Sequence, residues 1–166
     1  MGKETNILKG TPLEMLTQGG KVGEEACREM SRTCADFNLR RATRLVSQTF
    51  DRALKPSGLK ITQFSLLVSA CMNPNLILHK LARLMGMDRT TLSRNLAILE
   101  RKGLVILERG EDRREVLAQV TPAGLEALAK AAPLWHQTQE RITSGLGRQG
   151  WEEMLGDLRA LVKGLK

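Results

Sequence analysis

The segment DRTTLSRNLAILER, residues 88–101, sets guanidinium, hydroxyl and carboxamide side chains around leucines that recur every three or four positions. Leu92, Leu96 and Leu99 make one apolar stripe of a helix, so Arg89, Thr90, Thr91, Arg94, Asn95 and Arg101 must face outward. These groups are the ones that read base edges in the major groove. An arginine fork matches guanine, a carboxamide matches adenine, and a hydroxyl serves either. Their clustering near a helix start adds backbone N–H groups suited to phosphate. A solvated helix face uses the same residue types, and the helix alone does not separate the two readings.

The next stretch does. LVILER and REVLAQVT are β-prone runs on either side of GED, and Gly110 supports a hairpin between them. Arg109, Arg113 and Arg114 stand at or beside its tip, where Asp112 is placed to hold Arg114 through a bidentate pair. A hairpin beside a reading helix can lower an arginine into the adjoining minor groove, where narrow A·T-rich DNA concentrates negative potential.

Other chemistry finds little material. The chain has two histidines, three cysteines and no tyrosine. His79 sits beside Lys80 and Arg83, where a phosphate contact or plain exposure fits better than catalysis, and His136 lies far along the chain beside Trp135. No nucleophile, base and orienting group can be assembled, so no enzyme is expected. Cys27, Cys34 and Cys71 are too few and too irregularly spaced for a disulfide framework or a zinc site; they read as buried or idle thiols, with no metal and no cofactor expected.

The elements that must position the reading helix follow from periodicity and stop signals. Residues 1–23, rich in Gly, Lys and Thr, read as an N-terminal arm. Phe37, Leu39, Ala42, Leu45, Val46, Phe50 and Leu54 keep helical spacing, which predicts one long helix over residues 24–54 closed by KPSG. ITQFSLLVSAC is apolar on nearly every side and predicts a buried helix. LILHKLARLMG makes a short helix stopped at Gly86, and Asp88 caps the next, which Gly103 ends. That is helix-turn-helix grammar. Helices over residues 122–146 and 149–165 follow the hairpin. The expected fold is mainly α with a small β-hairpin wing. Residues 61–121 form the DNA-binding lobe, and residues 24–60 and 122–166 the flanking dimerisation helices.

Charge agrees with an anionic partner. The net charge is +8, with an excess of +5 over residues 37–75 and +3 over residues 76–121. No run reaches the roughly 18 apolar residues of a membrane span, and MGKETNILKG lacks the features of a leader, which predicts a cytoplasmic protein with no membrane partner.

LHKLARLMGMDRTTLSRNLAILERKGLV, followed by GEDRREVLAQVT with its Asp112-x-Arg114 pattern and by PAGLEAL, resembles the MarR family of bacterial winged helix-turn-helix regulators. The likeness spans residues 34–165. It implies a homodimer built on the first and last two helices, reading a pseudo-palindromic double-stranded operator, and a repressor released by a small ligand or by oxidation. Carried onto this chain it makes Thr90, Thr91, Arg94 and Asn95 base or phosphate readers and Arg114 the minor-groove residue. It implies a cleft for an aromatic or anionic inducer lined by Phe37, Arg41, Phe64 and Met72. A redox branch of the family uses a cysteine immediately before an aromatic residue. Here Asp36 precedes Phe37, Cys34 lies two residues further upstream, and the tyrosines of that branch are missing. Two alternatives stay open: a redox-sensing regulator using Cys34, and an architectural protein that binds DNA without sequence preference, for which Asn and paired Thr on the reading face would be unnecessary. A surplus of apolar residues, Phe50 and Leu54 with Trp151, Leu155, Leu158, Val162 and Leu165, is expected to be the dimer seam.

Overall fold

Glycine stops and leucine stripes place most of the elements in the computed structural model, which describes residues 17–18, 21–73, 77–109 and 116–165. The chain divides into two compact units, residues 1–46 and 47–166.

In the first unit, β1 (Thr17–Gln18) pairs antiparallel with β2 (Lys21–Val22). The expected single helix over residues 24–54 is two: α1 (Glu24–Thr33) and α2 (Ala35–Leu54), broken at Cys34, whose ψ of 115° is extended. No proline or glycine signals this break. Side chains make it instead, by taking up the end groups that a continuous helix would pair internally. The Cys34 sulfur accepts the Phe37 N–H at 3.5 Å, and the Asn38 amide donates to the carbonyls of Arg32 at 3.0 Å and Cys34 at 2.9 Å.

In the second unit, the end of α2 passes through a 3-10 turn (Lys55–Ser57) to Gly58, which has the left-handed φ of 73° that glycine tolerates best. The carboxylate of Asp51 then accepts the N–H of Ile61 at 2.8 Å, and the Gln63 side chain accepts that of Lys60 at 3.2 Å, so two side chains start α3 (Ile61–Met72). Next come α4 (Leu78–Met85) and α5 (Arg89–Arg101), ended by Gly86 and Gly103 with φ of 61° and 69°. After each glycine the chain folds back, Met87 N–H to the Ala82 carbonyl at 2.9 Å and Leu104 N–H to that of Leu99 at 3.0 Å. Strands β3 (Val105–Arg109) and β4 (Val116–Val120) pair antiparallel from Val105 opposite Val120 to Arg109 opposite Val116, and Ile77 bridges the far edge at Leu117. α6 (Pro122–Thr143) and α7 (Gly147–Gly164) complete the chain.

One core holds this unit together. Leu54, Leu66, Leu67, Leu81, Leu92, Leu96 and Leu99 are fully buried in it, with Val105 and Ala118 from the hairpin and Ala131 from α6. Each such leucine contributes about 1.5–3 kcal/mol relative to an exposed one. Phe50 and Leu54 therefore lie inside the chain's own core and are not part of an outer seam. The cysteines are free and exposed, each on an outward face or at a helix end, so of the buried and idle readings the buried one does not hold. Among the described residues no helix is long and apolar enough to cross a membrane, and no three His, Cys, Asp or Glu side chains gather as a metal set.

Candidate nucleic-acid interface

α5 is pinned from inside by Leu92, Leu96 and Leu99, which leaves Thr90, Arg94, Ala97 and Arg101 as an exposed ridge at spacings of four, three and four on the opposite side. Arg89 and Ser93 are exposed on one flank of the ridge, Thr91 on the other. Asn95 is half-buried on that second flank and donates its amide to the Thr91 carbonyl at 2.9 Å. Ser93, left out of the sequence reading, is exposed between Arg89 and Ala97 on the helix surface, where its spacing from the leucine stripe marks it. Ala97 adds a small residue where a wide groove edge can come close.

The start of α5 is set by Asp88. Its carboxylate accepts the Thr91 N–H at 2.8 Å and the Thr91 hydroxyl at 2.6 Å. These two bonds, the hydroxyl's first, hold the Asp88 carboxyl below its ordinary range, because they favour its charged form. The far end is anchored by Lys102, whose ammonium donates to the Gly58 carbonyl at 2.7 Å. Lys102 thus braces the end of α5 against the turn leading into α3.

The hairpin root is clamped as firmly. Thr121 donates its hydroxyl to the Gly103 carbonyl at 2.7 Å, accepts the Gly124 N–H at 3.0 Å, and donates its own N–H to the Leu104 carbonyl at 3.1 Å. A Cβ on Gly124 would lie 2.2 Å from the Leu104 oxygen and 2.7 Å from a Val120 methyl, so only glycine lets α6 approach the hairpin this closely. Across the strands, the Gln119 amide donates to Glu108 at 2.7 Å. Arg109 is exposed at the last paired position of the hairpin. Asp112, Arg113 and Arg114 lie outside the described residues. On α4, His79, Lys80 and Arg83 are exposed. The result is a helix with an exposed polar ridge, braced at both ends, next to a hairpin clamped at its root.

The four residues assigned to an inducer cleft occupy different settings. Phe37 and Arg41 are exposed on α2, where with Cys27, Ser31 and Asn38 they line an open groove of about 540 Å³. Phe64 belongs to the core and stacks on Trp135, ring centroids 5.9 Å apart. Met72 is exposed at the end of α3.

Comparison with known proteins gives this geometry a lineage. Residues 57–115 match the model of the MarR family. The transcriptional regulator MosR of M. tuberculosis, solved in complex with DNA, is 39% identical, with a TM-score of 0.73 over 80% of this chain and 96% of that one. This chain belongs to the MarR family. A second MarR-fold neighbour, the transcriptional repressor CouR bound to a 23-mer DNA duplex, is 28% identical, with a TM-score of 0.72 over 80% of this chain and 95% of that one. CouR bound to p-coumaroyl-CoA is 26% identical, with a TM-score of 0.69 over 80% and 94% of the two chains. The MarR fold explains the order of elements: helix, turn and helix with α5 as its second member, then the hairpin as wing. The family is one of transcriptional regulators, not of enzymes.

Proposed function

We propose that this MarR-family protein is a homodimeric repressor that reads a pseudo-palindromic double-stranded operator and is released by a small ligand. The observation that carries the reading is the exposed ridge of α5, with Thr90, Arg94 and Arg101 standing opposite three fully buried leucines. Arg89, Thr91 and Asn95 flank that ridge, and Arg109 ends the described part of the wing. In this proposal Arg113 and Arg114, steadied by Asp112, extend the wing into the minor groove. A two-fold axis sets two copies of α5 about 34 Å apart, one turn of DNA. Selection of bound sites from a random DNA pool tests all of this together. A palindrome with half-sites one turn apart is expected; recovery of no common sequence means binding without preference, the architectural alternative. Arg114→Ala is expected to weaken binding and to lower the salt dependence by about one phosphate equivalent.

The inducer is proposed to be an aromatic or anionic small molecule held by Phe37 and Arg41. An exposed ring and an exposed guanidinium one helical turn apart offer stacking and charge to such a molecule. CouR, a neighbour in fold and sequence, has been solved with p-coumaroyl-CoA, which has both properties. A second reading draws on Cys34, an exposed thiol whose sulfur caps α2. Its oxidation would disturb the break between α1 and α2. Peroxide-driven release that Cys34→Ser abolishes would favour that reading over a ligand.

A further inference from the structure

We propose that Asp88 fixes the Thr91 hydroxyl as a hydrogen-bond acceptor only, so that Thr91 selects a base presenting an exocyclic amino group, adenine or cytosine, at one position of each half-site. The inference rests on the reading of α5 as the helix that enters the major groove.

A hydroxyl carries one hydrogen and two lone pairs, and can normally turn to suit either kind of partner. That freedom is why threonine is an ambiguous reader of bases. Here it is removed. One Asp88 oxygen takes the Thr91 N–H at 2.8 Å and the other lies 2.6 Å from the Thr91 oxygen. An ionised carboxylate has no hydrogen to give, so the hydrogen between these two oxygens is the threonine's own. Asn95 bonds the Thr91 carbonyl and leaves the hydroxyl alone. Thr91 is exposed, and what its hydroxyl still offers is lone pairs. In the major groove adenine N6 and cytosine N4 donate, whereas guanine O6 and N7 and thymine O4 accept. A hydroxyl locked as an acceptor matches the first pair and meets the second lone pair to lone pair.

The same argument makes Asp88 a positioning residue that sets specificity without touching DNA. Asn caps helices as well as Asp. In Asp88→Asn the amide oxygen can keep the Thr91 N–H, while the amide nitrogen donates to the Thr91 oxygen and frees its hydrogen to point outward. The preferred base at that position should then change from adenine or cytosine to guanine or thymine.

The experiment compares binding to the selected operator and to duplexes carrying each of the four bases at each half-site position, at one fixed salt concentration. The wild type should prefer an amino-bearing base at one position where Thr91→Val loses roughly two- to tenfold of its discrimination, the worth of one hydrogen bond. Thr91→Ser should keep the ranking, and Asp88→Asn should invert it there and nowhere else. An unchanged ranking in both Asp88→Asn and Thr91→Val overturns the proposal while leaving the reading of α5 intact. Circular dichroism checks that Asp88→Asn keeps its helix; if it does not, Thr91→Val decides alone. A wild type that binds every duplex equally overturns the reading of α5 itself, before any variant is compared.

Discussion

At the scale of single residues, the exposed face of α5 owes its character to how far each polar group is already engaged. The side chains of Arg94 and Thr90 stand on the ridge with no hydrogen bond or ion pair among the described residues, whereas Thr91 and Asn95 are joined in a chain that begins at Asp88. Arg94→Ala should therefore cost on the order of 1–3 kcal/mol on the operator and much less on random DNA, as for any base-reading arginine; equal losses on both would make it a phosphate contact. The chain also has a pH signature. The Thr91 hydroxyl and N–H hold the folded-state carboxyl of Asp88 below the unfolded value of about 3.9. The cap's contribution is thus complete above the unfolded pKa and is lost as pH falls through the folded one. Carbon-detected NMR of the Asp88 carboxyl should show a midpoint below that of an unstructured aspartate, and a midpoint at or above it would mean that the cap is not held in solution. The cap was legible in the sequence because Asp88 precedes an apolar-periodic run. The commitment of the Thr91 hydroxyl was not, since spacing places a residue on a face but does not say where its hydrogen points.

At the scale of elements, sequence periodicity located α3, α4, α5 and the hairpin because each is bounded by a signal with a steric cause. Gly86 and Gly103 adopt left-handed φ values, and Leu92, Leu96 and Leu99 drive one face of α5 inward. What it missed are contacts between residues distant in sequence. Asp51 caps α3 from the end of α2, and Lys102 braces α5 on Gly58. Nothing local to any of these residues announces its partner. Gly124 is the clearest case, because PAG reads as an ordinary helix start, yet a methyl there would overlap the Leu104 carbonyl and Val120. Backbone cannot yield as a flexible side chain does. Gly124→Ala should destabilise the protein by about 1–3 kcal/mol, as overpacking does, and loosen the wing root. Thermal unfolding measures the first effect and amide exchange at Leu104 and Thr121 the second. An unchanged melting temperature would show that α6 can shift without cost.

At the scale of the whole molecule, two runs of exposed apolar residues lie toward the two ends of the sequence. Phe37, Leu39, Leu45 and Val46 on α2 are exposed, as are Leu161, Val162 and Leu165, the last at 79%, at the end of α7. Leu155, Leu158 and Val162 line one trough on α7, a helix that contains no buried residue although it carries Trp151, Met154 and three leucines. An amphipathic helix of 18 residues gains most of its stability from burying such a face, not from its own hydrogen bonds. A monomer that left these faces in water would expose more apolar surface than the few hundred Å² that soluble monomers usually present. A second copy related by a two-fold axis supplies a cover of matching chemistry, since an isologous interface brings the same residues together from both sides. Operator binding then depends on residues remote from DNA, because each lobe grips one half-site and the seam sets the effective concentration of the second grip. Leu158→Asp puts an unpaired charge into that seam and should give a monomer that keeps the helical content of the 47–166 unit while losing tight operator binding. Light scattering across the micromolar range, read beside the binding curve, checks both halves of the expectation. A wild type that stays monomeric and still binds its palindrome tightly would remove the dimer from the mechanism.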